Sequence, residues 1–294
     1  MFALHNMSYS LKIYSRIGEL MQGVQPDGTS FLVSGLPSRT FFSEAILEEG
    51  AGQRDLPPKA ELALSLLLLE HEQRTGRKPA VLADRNLRIH SNIPAGKGLA
   101  SSSADVLSVL CLVNDHLQSG FTREELYGLA CRVEPTDPCL SDDTVLFRQH
   151  SGITERIFPL PPLTLSYFDA APEWTINTLD VQRPWQQGAG AFFASLIRRF
   201  RQAADEADYD TLFDCVSASA LYNQSVISLP RFAEYYQLAR EEKAGIMVAH
   251  SGTIIGLLSR PESAPSLCAR LRSLSPAGGG HTAIFTETFY STFH

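Results

Sequence analysis

The sequence has little of what marks a secreted or disulfide-built protein. Its 294 residues include five cysteines, an odd number, and no C-x-x-C pair joins any of them. That pattern argues against a disulfide framework and against a zinc ribbon. The first ten residues show neither the basic region nor the apolar core of a signal peptide. We therefore expect a protein of the reducing cytoplasm.

Long apolar runs and basic stripes are also missing. The most apolar stretch, "LALSLLLL" at residues 62–69, is far shorter than the ~20 residues that cross a bilayer, and it predicts a buried helix instead. The net charge of −7 argues against coating a nucleic acid, although a small anionic ligand needs only a local cluster of donors. No H-R-D or D-F-G motif is present, which excludes the protein-kinase fold.

The pattern of elements predicts an α+β fold in two closely packed lobes. Strand signals dominate the first third, with a strand from Ser10 that breaks at Gly18 and two further strands in residues 29–47. A helix is predicted from Lys59 to Arg74, closed by Gly76, and a capping box of Thr122 with Glu125 starts a helix that runs to about residue 133. Three helices are predicted between residues 190 and 243, and strands return at the end.

The segment "PAGKGLASSSA", from Pro94 to Ala104, places two glycines and three serines directly before a helix. A helix start presents free N–H groups and a partial positive charge, so it can bind an anion. Glycines let the backbone approach a phosphate closely, and hydroxyl groups can bind phosphate or Mg²⁺. The alternative is that the serines only cap the helix and the glycines only form a turn. The segment is not a Walker A motif, because residue 91 is a serine and Gly98 follows Lys97.

This segment resembles the P-x-x-x-G-L-x-S-S-A motif of the GHMP kinases, a family that includes galactokinase, homoserine kinase and mevalonate kinase. Two other regions are similar to motifs of that family: "RIGELMQG" from Arg16 to Gly23, and "VAHSGTIIGLL" at residues 248–258. In the first region only Gly18 and Glu19 match the family's usual motif, and the second region has fewer glycines than the family's usual motif. The resemblance implies an N-terminal lobe like ribosomal protein S5 over residues 1–160 and a ferredoxin-like lobe over residues 161–294, with ATP and Mg²⁺ as cofactors.

Within that family, "GELMQG", "GLASSSAD" and "EPTD" together resemble the L-threonine kinases of cobalamin biosynthesis. The resemblance implies ATP-dependent phosphorylation of free L-threonine to O-phospho-L-threonine, a precursor of the aminopropanol linker. Three alternatives stay open: a kinase of another small alcohol such as homoserine, a ligand sensor of the same fold without turnover, and an unrelated binding protein.

The resemblance also implies roles for the phosphate loop and for two acids. The backbone from Gly96 to Ser102 would bind the phosphates, and Ser102 with Glu134 would bind the metal. Asp137 would act as a base or orient the acceptor hydroxyl. The competitors are Asp142 and Asp143, and the other alternative is a turn with solvated acids. The nucleotide-binding set is Pro94, Gly96, Lys97, Gly98, Leu99, Ala100, Ser101, Ser102 and Ser103, in which Lys97 is either an extra phosphate clamp or solvated.

An amino-acid substrate carries an ammonium and a carboxylate. We expect Glu19 to pair with the ammonium, and Arg16 or Gln22 to reach the carboxylate, unless Glu19 is an exposed acid at a strand end. A second substrate-side group is a loop of small residues after a buried strand, consisting of His250, Ser251, Gly252 and Thr253. His250 could equally be an ordinary hydrogen-bonded histidine. Residues 277–282, "AGGGHT", predict a flexible turn or a close-approach loop. The sequence leaves the oligomeric state open, a homodimer included.

Overall fold

In the described part of the chain, ten strands pair into one sheet that runs through both halves. The computed structural model describes residues 8–78, 82–274 and 283–290. The strands are β1 Tyr9–Val24, β2 Ser30–Glu49, β3 Arg54–Asp55, β4 Arg85–Ser91, β5 Thr144–Arg148, β6 Ile153–Phe158, β7 Leu163–Asp169, β8 Gly245–Val248, β9 Ile254–Ser259 and β10 Phe285–Phe289. Their order is β10-β7-β9-β8-β1-β2-β4-β3, and β5 joins β2 to β6. Among the described strands, every pairing except β3 with β4 is antiparallel.

The described residues form seven α-helices, of which the first packs mainly on the second. They are α1 Pro58–Thr75, α2 Ser101–Leu117, α3 Arg123–Cys131, α4 Ala189–Glu206, α5 Tyr209–Asn223, α6 Phe232–Glu241 and α7 Ala264–Leu274. The predicted end of α1 and start of α3 are confirmed. Gly76 ends α1 in the left-handed conformation at φ +67°, and Thr122 with Glu125 forms the capping box of α3. None of the described helices has the length and apolar character needed to cross a membrane.

The two halves share one hydrophobic core. Phe31 of β2 packs edge to face on Phe193 of α4, with 5.8 Å between ring centroids, and both side chains are fully buried. The same cluster also contains Leu20 of β1 and Leu163 of β7. The mixed α+β fold is therefore as predicted, and strand β1 joins the halves through its pairing with β8. The lobe boundary at residue 160 falls between β6 and β7 and stays a prediction.

Three predicted element boundaries differ from the structure. Strand β1 does not stop at Gly18 but continues to Val24, and the two strands expected in residues 29–47 are the single strand β2. Gly18 has φ +53° and faces Gly35, where an added Cβ would lie 1.8 Å from the Gly18 carbonyl oxygen. The strand thus continues through Gly18, and the close approach explains why both positions are glycine. Helix α3 ends at Cys131 and not near residue 133. The segment 277–282 lies outside the described residues.

Candidate active site

The phosphate loop enters α2 through left-handed backbone. Gly96 and Gly98 have φ of +70° and +81°, and Ala100, the N-cap of α2, has φ +56° and makes no side-chain capping bond. Ser101, Ser102 and Ser103 are therefore the first three residues of the helix. The alternative that a serine caps this helix is wrong, so the three hydroxyl groups need another explanation.

A turn between β8 and β9 supports this loop from behind. A Cβ at Gly98 would lie 2.1 Å from the Cβ of Ala249, and one at Gly252 would lie 2.2 Å from the Lys97 carbonyl. The Thr253 N–H donates to the Lys97 carbonyl oxygen at 3.0 Å. Gly252 and Thr253, expected on the substrate side, therefore support the loop and do not line the cavity. Close backbone packing explains the glycine requirement on both sides.

A cavity of about 330 Å³ opens in front of the loop, between the two halves. The predicted residues that line it are Glu19, Pro94, Gly96, Gly98, Leu99, Ala100, Ser101, Ser102, Ser103, Glu134, Asp137, His250 and Ser251. Residues that the sequence analysis did not single out also line it: Lys59, Asp105, Gln149 and the segment from Thr175 to Thr178. The competing acids Asp142 and Asp143 lie outside this lining and face a different cavity.

Ser102 forms the first of two serine–acid pairs at the start of α2. Its hydroxyl donates to Glu134 Oε1, and the Lys59 ammonium pairs with Glu134 Oε2. The Glu134 side chain is only 4% exposed, so the neighbouring cation stabilises its charge. Lys59 lies in the first turn of α1, where the helix dipole disfavours a positive charge. That mismatch is the one signal by which the sequence could have revealed Lys59.

Ser103 forms the second pair, with Asp137. The Ser103 hydroxyl donates to Asp137 Oδ2 at 3.0 Å and accepts from the Asp137 N–H at 3.0 Å. Burial raises the pKa of Asp137 to about 6; the nearby charge of Glu134 adds to the increase, and the Ser103 bond and Arg16 oppose it. The alternative of a turn with solvated acids is wrong, because both acids bond to serines of α2.

Glu19 faces the cavity from β1 and is 6% exposed, so it is not an exposed strand-end acid. The Gly35 N–H donates to its Oε2 at 3.2 Å. Burial raises the pKa of Glu19 well above its ordinary value, and the charge of Asp137 raises it further. A cationic ligand group would relieve both effects.

Arg16 does not reach the cavity, contrary to expectation. Its side chain is 2% exposed, and Nη1 donates to the Gly35 carbonyl at 3.1 Å. Arg16 therefore donates to the carbonyl of Gly35, and Glu19 accepts from the N–H of the same residue. The buried guanidinium of Arg16 is positioned to fix the backbone beneath Glu19, not to bind a substrate carboxylate. The expectation for Arg16 is therefore corrected.

Gln22 lies behind the cavity wall, in contact with His250. Gln22 Oε1 is 3.0 Å from His250 Nδ1, and the Gln22 amide also contacts the Val248 carbonyl at 3.4 Å. The structure thus corrects the expectation that Gln22 reaches the substrate. Burial lowers the pKa of His250 well below its ordinary value, with help from the charges of Arg183 and His150. His250 therefore lines the cavity as a neutral imidazole that Gln22 orients.

Lys97 is neither a phosphate clamp nor solvated. Its ammonium lies 2.9 Å from Asp169 Oδ2 and also donates to three carbonyl oxygens, those of Ala171, Pro172 and Trp174. It points away from the cavity lining. Lys59 is instead the lysine of the cavity, and the sequence motif that contains Lys97 did not reveal this.

The described residues contain no group of three or more histidine, cysteine or acidic side chains that could by itself hold a metal. Taken together, the cavity offers an anion site at a helix start, one lysine, hydroxyl groups, and four acids. Such a set can hold a phosphate chain beside a hydroxyl group that loses its proton.

Comparison with known proteins gives consistent matches. The profile of the GHMP kinases N terminal domain matches residues 62–146. The L-threonine kinase of Citrobacter freundii is 30% identical over 248 residues, 82% of this chain and 83% of that protein. The L-threonine kinase of Salmonella typhimurium is 30% identical over 176 residues, and this match spans 58% of each chain. The 4-diphosphocytidyl-2-C-methyl-D-erythritol kinase of Pelotomaculum thermopropionicum is 31% identical over 227 residues, 76% of this chain and 75% of that protein.

Solved structures show the same fold at lower identity. The phosphomevalonate kinase of Streptococcus pneumoniae superposes with a TM-score of 0.73 at 13% identity, covering 96% of this chain and 100% of that one. The homoserine kinase of Cytophaga hutchinsonii gives a TM-score of 0.64 at 17% identity, covering 99% and 97%. The two-lobed fold is therefore shared across these proteins.

Proposed function

Because the chain belongs to the GHMP kinase family, whose members use ATP to phosphorylate small molecules, we propose that its acceptor is free L-threonine. The product would be O-phospho-L-threonine, a precursor of the aminopropanol linker of cobalamin. The observation that carries the kinase assignment is the pair of serine–acid contacts, Ser102 with Glu134 and Ser103 with Asp137. They place two carboxylates at the helix start where the phosphates of ATP would lie.

The phosphate chain is held by this chain's own donors. The free N–H groups of α2 and the left-handed loop at Gly96 and Gly98 form an anion site, and Lys59 adds a full positive charge. Ser102 and Glu134 offer the hard oxygen ligands that Mg²⁺ prefers beside phosphate oxygens. Bound there, Mg²⁺ would neutralise charge on the phosphates. We therefore expect turnover to be lost on chelation with EDTA and restored by added Mg²⁺.

Asp137 is placed to accept the proton of the acceptor hydroxyl. With a pKa of about 6 it is ionised near neutral pH yet basic enough to take a proton. The hydroxyl oxygen bonds to the γ-phosphorus, the bond from that phosphorus to the leaving ADP oxygen breaks, and the proton passes to Asp137.

The remaining side chains of the cavity match a free amino acid. The buried Glu19 carboxylate suits the substrate ammonium. Since Arg16 and Gln22 do not line the cavity, we assign the carboxylate to neutral donors that do: Ser251 and Gln149, with His250 beside them. A small polar acceptor therefore fits this end of the cavity.

A second candidate is a kinase for 4-diphosphocytidyl-2-C-methyl-D-erythritol, which the 31% identity over 75% of such an enzyme favours. The test is an ADP-release assay with ATP and a panel of that compound, L-threonine, L-serine and L-homoserine. We expect the highest kcat/KM with L-threonine. Preference for homoserine or for 4-diphosphocytidyl-2-C-methyl-D-erythritol would overturn the acceptor assignment and leave the kinase assignment intact. Nucleotide binding without ADP release for any acceptor would instead indicate a sensor.

A further inference from the structure

The backbone carbonyl and the side-chain ammonium of Lys97 both contact parts of the chain that lie far away in sequence. Its carbonyl oxygen accepts from the N–H groups of Thr253 and Ile254, at 3.0 and 3.3 Å. Its ammonium lies 2.9 Å from Asp169, at the end of β7. One residue of the phosphate loop thus contacts two separate segments of the second half of the chain.

The ammonium has more acceptors than it has protons to donate. Besides Asp169, the carbonyl oxygens of Pro172, Trp174 and Ala171 lie 2.7, 2.6 and 3.3 Å from Nζ. The Lys97 side chain is only 12% exposed and Asp169 only 21%, so solvent screens the pair weakly. Loss of either partner would leave a charge or a set of carbonyls unpaired in a mostly buried place.

The segment that follows these carbonyls forms a wall of the cavity. Thr175, Ile176, Asn177 and Thr178 line it. The Ile176 N–H donates to the Gly96 carbonyl at 3.1 Å, and a Cβ at Gly96 would lie 2.5 Å from the Thr175 methyl carbon. The wall and the phosphate loop are therefore in direct contact, and the Lys97 ammonium anchors the wall just before that contact.

We propose that Lys97 and Asp169 form a latch that positions the phosphate loop and the wall of residues 175–178 relative to each other for nucleotide binding. They are positioning residues: neither lines the cavity, and both act through the backbone of the loop and of the wall. The nucleotide class rests on the proposed function, whereas the latch itself rests on the contacts above.

The kinetic test uses Lys97→Met and Asp169→Asn. We expect the KM for ATP to rise about tenfold or more in each variant, while kcat at saturating ATP stays within about threefold of that of the natural protein. A tenfold rise in KM corresponds to a loss of ~1.4 kcal/mol of binding free energy. Lys97→Arg should raise the KM for ATP as well, because a planar guanidinium does not fit the set of acceptors that surrounds the ammonium. Lys78→Met, at an exposed lysine, serves as the control and should leave both constants unchanged. A fall in kcat with an unchanged KM for ATP would show that the ammonium acts on the phosphoryl group, and would overturn the latch.

A second measurement does not depend on turnover. Hydrogen exchange of the ligand-free protein should show faster exchange at Ile176 and its neighbours in both variants, even if Lys97→Met is too unstable for kinetics and only Asp169→Asn can be assayed. The double variant should exchange no faster than the worse single variant, because the two side chains act as one unit. Unchanged exchange in the single variants, or additive effects, would refute the latch. Absence of ATP turnover in the natural protein would refute the proposed function alone.

Discussion

Asp137 lies in surroundings that oppose its own ionisation, and in its proposed role this would set the pH range of activity. Its pKa of about 6 means that the carboxylate becomes protonated as the pH falls through that value. We expect kcat/KM to fall about tenfold per pH unit below about pH 6, because a protonated acid cannot accept the hydroxyl proton. Asp137→Asn should lose well over tenfold in kcat at pH 8. A pH–rate profile that stays flat from pH 8 to pH 5 would contradict the role of Asp137.

The buried charge of Asp137 should also lower the stability of the folded protein at neutral pH. The pKa of Asp137 is higher in the folded state than the ~3.9 of an unfolded chain, so the folded protein loses stability as the pH rises from about 4 to about 6. Asparagine keeps an oxygen that can accept from Ser103 and carries no charge. We therefore expect Asp137→Asn to unfold at a higher temperature than the natural protein at pH 8, and at a similar temperature at pH 4. Thermal denaturation followed by circular dichroism at the two pH values measures this, and an equal midpoint at pH 8 would contradict it.

Ser102 tests the predicted metal site. Ser102→Ala removes a hydroxyl from the proposed Mg²⁺ and phosphate region but leaves Glu134 paired with Lys59. We expect kcat to fall well over tenfold while the thermal midpoint stays nearly unchanged. The comparison variant is Ser101→Ala, which keeps both serine–acid pairs and should lose less activity. A large loss of stability in Ser102→Ala would instead identify the hydroxyl as structural.

Lys59 is a cavity residue that the sequence analysis did not single out. Lys59→Met removes the positive charge of the cavity and leaves the buried Glu134 with one partner. We expect the KM for ATP to rise and kcat to fall, with a combined loss in kcat/KM of about tenfold to a hundredfold. Steady-state kinetics beside the exposed-lysine control Lys78→Met measure the effect. Kinetics equal to those of the control would show that Lys59 only neutralises Glu134.

At the scale of elements, the phosphate loop depends on close backbone contact as well as on left-handed angles. Gly98 and Gly28 have similar φ, +81° and +85°, but only Gly98 has a neighbour within 4 Å of an added Cβ among the described residues. Gly28→Ala should therefore cost only the backbone strain, ~1–2 kcal/mol. Gly98→Ala should cost ~2–5 kcal/mol, because the clash with Ala249 adds to the strain. Urea denaturation of the two variants measures the difference, and equal losses would refute the argument from contact.

At the scale of the whole molecule, the shared core makes the two halves depend on each other. Phe193 of α4 fills the space above Gly23 of β1, where an added Cβ would lie 2.5 Å from its ring. A fragment of residues 1–160 would expose Phe31 and Leu20, which the intact chain buries completely. We expect the full chain to unfold in one cooperative transition and neither fragment, 1–160 or 161–294, to show one alone. A cooperative transition in either fragment would show that the lobes fold independently.

The elements themselves were largely readable from the sequence, because their signals are local. Alternating apolar residues, the capping box at Thr122 and the left-handed Gly76 act through neighbours a few residues away. The two strand errors have one cause: a glycine in a strand signals either an end or a bulge. At Gly18 the choice depended on Gly35 of the adjacent strand.

What the sequence determined by itself was the type of the elements, the phosphate loop and the acids that accompany it, since these follow from spacing and from resemblance to a family. The tertiary structure alone decided where the long cationic side chains point. Lys97 turns from the cavity because Asp169 and three carbonyls lie behind it, Arg16 is buried under Gly35, and Lys59 reaches the site from another helix. The contacts of these three side chains come from segments that only the fold brings together.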